Sequence, residues 1–252
     1  MFNLTGKVAL ITGGNGGIGL GMARGLAKAG ANIVVAARNA EKSASAVQEL
    51  QTLGVQATFI SADVTSEDSV NALLQQAVQQ FGRLDILVNN AGVTVRKPPQ
   101  ELTLDEWRYV MDTNLTGAFL CARAAHPHLK AAGGGKIINL GSMMSLFGAK
   151  YAAAYGASKG GIVQLTKAQA VAWAEDNIQV NVILPGWVDT DLTRQARAEI
   201  PGLNEKALTR SPVGRWGAID DFAGIAVFLA SPASDFITGA AIPVDGGYSA
   251  VG

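Results

Sequence analysis

The chain has 252 residues, 30 of them glycine, about 12% against an average near 7%. Twenty Lys and Arg balance twenty Asp and Glu, and charged residues total only 16%; this excludes the basic surface of a nucleic-acid binder and, with 48% apolar residues, global disorder. The length suits one α/β domain of about 250 residues. A single cysteine, Cys121, rules out an internal disulfide and agrees with a reducing compartment. No apolar run approaches the ~20 residues that span a bilayer, and the Met1–Lys7 start lacks a basic region followed by a long apolar stretch. The expectation is a soluble cytoplasmic protein with no membrane or nucleic-acid partner.

In chain order, short β-branched runs alternate with longer helix-like stretches. Strands are predicted at Val8–Thr12, Ile33–Ala37, Ala57–Ser61, Ile86–Asn89, Ile137–Leu140, Val180–Leu184 and Ala240–Val244. Most are continuously apolar, as in a parallel sheet buried on both faces. Helices are predicted at about 17–30, 40–53, 67–81, 104–131, 154–176 and 219–230. Thr65 or Ser66, followed by Glu67 and Asp68, suits a helix N-terminus, where carboxylates meet the positive end of the dipole. The pattern predicts a single doubly wound Rossmann-type α/β domain over 1–252, with a seven-stranded parallel sheet and helices on both faces. One stretch breaks the rhythm. Residues 187–218 carry two prolines, three glycines and four arginines, and read as an extended loop forming a substrate lid.

Directly after the first strand comes Gly13-Gly14-Asn15-Gly16-Gly17-Ile18-Gly19. A glycine-rich turn from strand to helix lets backbone N–H groups approach a pyrophosphate at a helix N-terminus. Alone, the run also fits a tight packing turn or an S-adenosylmethionine loop. Its spacing, Gly-x-x-x-Gly-x-Gly, resembles the cofactor motif of the short-chain dehydrogenase/reductase family. The other signatures of that family follow in order: Asn89-Asn90-Ala91-Gly92 after the fourth strand, Asn114 in a helical stretch, Ser142 after the fifth strand, Tyr155-Gly156-Ala157-Ser158-Lys159, and Pro185-Gly186-Trp187-Val188-Asp189-Thr190 after the sixth. With four tyrosines and ten lysines, chance places about 0.16 Tyr-x-x-x-Lys pairs in such a chain, so the ordered set carries the resemblance.

Tyr155 and Lys159 are four residues apart and share a helix face. A free tyrosine has a pKa near 10; an ammonium about 4 Å away would lower it by up to ~3 units, into range for acid–base catalysis. The lysine has donors left for a ribose hydroxyl. The resemblance implies that Tyr155 handles the proton, Ser142 bonds the substrate oxygen, and Asn114 positions a water linking Lys159 to solvent, while hydride passes to or from a nicotinamide. It further implies cofactor contacts from Gly13, Asn15, Gly17, Ile18, Gly19, Asp63, Val64, Asn90, Ala91, Gly92, Tyr155, Lys159, Pro185, Gly186, Val188 and Thr190.

At the end of the second strand an acid would accept from a ribose 2′-OH. Here the residues are Ala36-Ala37-Arg38-Asn39, and Arg38 can instead bond a 2′-phosphate, so NADP is expected over NAD. Gly16, where many NADP-preferring relatives carry a basic residue, points the other way, and Arg38 could also stack on adenine with NAD bound. Expected substrate contacts are Ser142, Met144, Tyr151, Trp187 and Arg96, an adaptable apolar surface with a cation at its edge. Within the family the chain is similar to gluconate 5-dehydrogenase-like and 3-oxoacyl-carrier-protein reductase-like members. The substrate is accordingly expected to be a small alcohol or ketone: a sugar acid, a 3-oxoacyl thioester or a broader set of carbonyl compounds. A catalytically idle dinucleotide-binding partner protein is the alternative of a different class. His126 and His128 flank Pro127 without a further His or Cys cluster, so no metal site is expected. The family resemblance also implies a homotetramer.

Overall fold

The computed structural model describes residues 1–251. Seven strands form one parallel sheet: β1 (Val8–Thr12), β2 (Asn32–Ala37), β3 (Ala57–Ser61), β4 (Ile86–Asn89), β5 (Gly135–Leu140), β6 (Ile178–Pro185) and β7 (Ala241–Val244). Their order across the sheet is β3-β2-β1-β4-β5-β6-β7, with every adjacent pair parallel. The strand order reverses between β1 and β4. At such a switch point the loops leaving the two strands diverge and open a crevice at the carboxyl ends.

The helices are α1 (Gly17–Lys28), α2 (Ala40–Gln51), α3 (Glu67–Phe81), α4 (Leu104–Met111), α5 (Gly117–Ala131), α6 (Ala153–Ala172), α7 (Asp191–Glu199), α8 (Leu203–Arg210) and α9 (Ala223–Ala230). Alternate strand residues serve opposite faces. Ala9, Ile11, Ile33 and Val35 pack under α1, α2 and α9, whereas Val8, Leu10, Val34 and Ala36 pack under α3, α5 and α6. Both faces of the central strands are covered, so β1, β2 and β4 read as nearly continuous apolar runs rather than as an alternation. One polar ladder crosses this core: Asn89 donates to Asn139 at 2.9 Å, and Asn139 to Thr166 at 2.9 Å, fixing β4, β5 and α6 against one another.

Two expectations change. The single helix expected at 104–131 is broken by a π turn at Asp112–Thr116. Thr113 bonds back to the Tyr109 carbonyl at 2.8 Å, and a Cβ on Gly117 would meet Val64 at 2.8 Å, so the chain bends where it must pass close to the end of β3. The lid at 187–218 is not an extended loop; it holds α7 and α8. Thr190 caps α7 in a capping box with Thr193, and Gly202, at φ +70, turns the chain into α8. This helical hairpin has few apolar residues, and that is why hydrophobic periodicity misses it.

Two further glycines, Gly21 and Gly25, follow the loop inside α1. Cβ atoms on Gly21 and Gly25 would lie 2.0 Å from the Ile219 carbonyl oxygen and 2.7 Å from the Ala223 Cα. These two glycines let α1 lie against the 219–230 segment and have no part in a phosphate loop.

Candidate active site

Three cavities run together along the carboxyl edge of the sheet. The first, about 550 Å³, is walled by Gly13, Asn15, Arg38, Lys42, Asp63 and Val64 among others. The second, about 360 Å³, shares Gly13, Asn15, Lys42, Ala91 and Gly92 with it and adds Gly17, Ile18, Lys159, Val188 and Thr190. The third, about 320 Å³, shares Ser142, Tyr155, Pro185, Gly186 and Leu192 with the second, and is lined further by Arg96, Met144, Tyr151, Trp187 and Arg210. The cleft therefore gathers all but one of the residues expected from the sequence to touch cofactor or substrate. Gly19 lies beneath it: a Cβ there would meet the Asn90 amide at 2.4 Å. Asn114 sits behind the wall, 2% exposed.

The glycine loop is built to receive an anion. Gly13 and Gly17 have φ of +64 and +53, where other residues are strained. The N-terminus of α1 has no side-chain cap and no acidic residue in its first turn, whereas α2, α3, α4 and α7 are each capped by a side chain. Its N–H groups face the cleft with the positive end of the helix dipole behind them. Asn90 fastens this loop to β4, donating to the Thr12 and Gly13 carbonyls at 2.9 and 3.0 Å. These features fit a dinucleotide pyrophosphate.

At the adenosine end Arg38 makes no ion pair among the described residues. Asp63 accepts from the Thr65 backbone and hydroxyl at 3.0 and 2.8 Å, and those bonds hold its carboxyl below the usual range; the helix cap is Ser66. Lys42 carries no motif, yet it lines both neighbouring cavities. Its Nζ would lie 2.8 Å from a Cβ on Gly16, so the amine of α2 occupies the space beside the loop that a side chain at position 16 would otherwise claim. It is paired with Asp191, the first residue of α7, at 2.8 Å.

At the junction of the second and third cavities stand Ser142 and Tyr155, with Lys159 beside them in the second. Lys159 is 4% exposed and donates to the Leu140 carbonyl at 2.6 Å, with its Nζ 5.7 Å from the Tyr155 ring centre. The expectation of a phenol lowered by a nearby ammonium is reversed. Burial pushes the Tyr155 hydroxyl above its ordinary value, and a hydrogen bond with Ser142 only partly offsets this. Burial also brings Lys159 down to about 8. The amine is turned toward a main-chain carbonyl of β5, so desolvation outweighs attraction between the two groups. The Ser142 hydroxyl oxygen accepts from the Met144 N–H at 3.1 Å, which leaves its proton to donate into the cleft.

Asn114 projects from the π turn. Its Oδ1 accepts from Val93 N–H at 2.8 Å, and its Nδ2 donates to the Val93 carbonyl and the Ser158 hydroxyl at 3.0 Å each. The side chain holds residue 93 against α6, and one acceptor site of Oδ1 is left over. A Cβ on Gly92 would come within 3.3 Å of Asn114 Oδ1 and 3.6 Å of Lys159 Nζ, so glycine keeps this corner open.

Arg96 is paired with Glu199 at 3.0 Å and donates to the Leu192 carbonyl at 2.8 Å. It ties down α7 at Leu192 and Glu199, as Lys42 does at Asp191. Trp187 meets Trp216 edge to face at 5.6 Å. Away from the cleft, buried Cys121 has its thiol pushed up to about 12, and His126 bonds Asp176 at 2.8 Å.

A sheet reversing at an uncapped glycine loop, with Ser, Tyr and Lys at the same edge, defines a dinucleotide-dependent oxidoreductase. The chain belongs to the short-chain dehydrogenase/reductase family, which transfers hydride between a nicotinamide cofactor and an alcohol or its ketone. The family model described as enoyl-(acyl carrier protein) reductase matches residues 13–249. The chain is 43% identical to 2-dehydro-3-deoxy-D-gluconate 5-dehydrogenase of Escherichia coli over 250 residues, 99% of this chain and 98% of the relative. It is 40% identical to cis-4-hydroxycyclohexanecarboxylate dehydrogenase of Sinomonas cyclohexanicum, over 97% of each chain. A solved gluconate 5-dehydrogenase from Burkholderia cenocepacia, in complex with NADP and tartrate, superimposes with a TM-score of 0.94 at 41% identity, covering 100% of this chain and 98% of that one. Among the described residues no helix is long and apolar enough to cross a membrane.

Proposed function

We propose that this protein is an NADP(H)-dependent oxidoreductase that interconverts a secondary alcohol and a ketone on a sugar acid, working as one domain with α7 and α8 as the substrate lid. The observation that carries the reading is the meeting of Ser142 and Tyr155 at the wall shared by the cofactor and substrate cavities, with Lys159 beside them on the cofactor side. When bound, NADP(H) supplies or accepts the hydride. Ser142 donates to the substrate oxygen and fixes its position. Tyr155, kept protonated by burial, gives that oxygen its proton during reduction. Lys159, titrating near 8, replaces the proton and holds the ribose hydroxyls. Asn114 is a positioning residue that keeps 93 and Ser158 in register with Tyr155.

The glycine loop receives the pyrophosphate through Gly13, Asn15, Gly17 and Ile18. Asp63 and Val64 border the adenine; Asn90, Ala91 and Gly92 line the ribose side; Pro185, Gly186, Val188 and Thr190 border the nicotinamide. Arg38 and Lys42 give the adenosine end two cations, which supports NADP over NAD. The Lys42–Asp191 pair is exposed and contributes little on its own, so a phosphate exchanges readily for the carboxylate. The sugar-acid substrate is drawn from the names of the relatives. We also propose a homotetramer, supported by apolar residues left exposed on two sides: Leu104, Trp107 and Phe119 on α4 and α5, and Val171 and Phe236 toward β7.

The test is a kinetic panel of keto sugar acids, 3-oxoacyl thioesters and aryl ketones with NADPH and NADH. The reading expects the highest kcat/KM with a keto sugar acid and NADPH. Turnover confined to thioesters, or a preference for NADH, overturns it.

A further inference from the structure

Most arginines of the chain are neutralised by carboxylates: Arg24, Arg83, Arg96, Arg123, Arg194, Arg197 and Arg215 all form ion pairs. Among the described residues three do not. Arg108 lies exposed on α4. Arg38 borders the adenosine end of the cleft, and Arg210 borders its substrate end. Each end of one continuous cleft therefore keeps a guanidinium outside any ion pair, although Arg38 lies in the field of Asp63.

Arg210 is the last residue of α8 and is only partly exposed. Its guanidinium carbon lies 4.6 Å from the centre of the Phe147 ring and 4.5 Å from that of Tyr248. The two rings stand edge to face, 6.1 Å apart. Contact with ring faces engages the charge of the cation but leaves its N–H donors unused, and the rings shield it from the charges that would quench it. No hydrogen bond to any described residue takes up those donors. The arrangement is a preorganised, unsatisfied fork of the kind that binds a carboxylate bidentately. Arg96, the residue that the sequence points to for this task, is already held by Glu199 and the Leu192 carbonyl.

We infer that Arg210 is the carboxylate anchor of the substrate site. It binds the acid group of the substrate opposite the end at which Ser142 and Tyr155 meet the reacting oxygen. The inference deepens the sugar-acid reading of the preceding section and rests on it. It also assigns α8 a role in selectivity: the helix carries the anchor into the cleft, and the lid must be folded for the anchor to be present.

The test compares 5-keto-D-gluconate with its uncharged methyl ester at saturating NADPH, for wild type, Arg210→Met and Arg210→Lys. A charge-assisted contact of about 1.5–3 kcal/mol corresponds to roughly 10- to 150-fold in KM. Arg210→Met is expected to raise KM for the acid by that factor, with kcat and the ester constants within about threefold of wild type. Arg210→Lys, which keeps the charge and most of the packing, is expected to recover part of the loss and to report on folding if the methionine variant is unstable. If wild type prefers the acid and Arg210→Met keeps that preference, the anchor is wrong and the sugar-acid reading stands. If wild type does not distinguish acid from ester, both fall.

Discussion

Tyr155, half-buried, and Lys159, buried, sit in the same helix with different consequences. Replacing Tyr155 by Phe removes one hydroxyl and leaves the packing, so kcat should fall by about 10²- to 10⁴-fold while NADPH titration by fluorescence is unchanged. Lys159 is brought from 10.5 to about 8 by burial. In the reduction direction kcat/KM should decline as pH rises through about 8, where the free enzyme loses the ammonium. The same shift acts on stability with a fixed sign. The folded state holds its proton less tightly than the unfolded state, so burial costs about 3 kcal/mol below pH 8, and the cost is relieved between about 8 and 10.5. Denaturant melts of wild type and Lys159→Met across that interval should show wild type gaining about this amount relative to the variant; a constant difference would contradict it. Ser142, Tyr155 and Lys159 were legible because motif and chain order put them after β5 and on α6. Lys42 and Arg210 were not: each reaches the cleft from a helix whose placement depends on tertiary packing, and neither has a distinctive neighbour in sequence. The pKa direction of Tyr155 is not legible for a related reason: spacing gives a shared face but not the Leu140 carbonyl toward which the amine turns.

At the scale of elements, glycine substitutions separate packing from binding. A Cβ on Gly21 would press on the main chain of residue 219, which cannot move without shifting the segment that leads into α9. Gly21→Ala should cost about 1–3 kcal/mol and lower Tm by several degrees in calorimetry. A Cβ on Gly16 meets only the flexible end of Lys42. Gly16→Ala should therefore leave Tm within about a degree yet weaken NADPH more than NADH, because it displaces that amine. Equal effects of the two substitutions on Tm would refute the division. The same logic explains what was readable here. Strands were readable because burial on both faces leaves a continuous apolar run. The π turn and the α7–α8 hairpin were not, because they are set by side-chain caps, by the close pass of Gly117 over Val64, and by the Arg96 and Lys42 latches.

For the whole molecule, the reversal of strand order between β1 and β4 puts an uncapped helix N-terminus, a half-buried tyrosine beside a buried lysine, and two guanidinium groups outside any ion pair along one edge. A chain of zero formal net charge thus concentrates unneutralised cations at the two ends of a cleft. The exposed apolar residues of α4, α5 and the β7 side should be covered in a homotetramer, and sizing chromatography with light scattering should give about four times the 26.0 kDa chain mass. The central claim is hydride exchange with NADP(H) in which Tyr155 carries the proton. The most direct measurement is NADPH oxidation with 5-keto-D-gluconate by wild type and Tyr155→Phe side by side, followed by absorbance. Steady turnover by wild type and at least a ~100-fold loss in the variant, with NADPH still bound, is the predicted result. Equal rates in the two proteins, or no NADPH oxidation by wild type with any ketone of the panel, would contradict it.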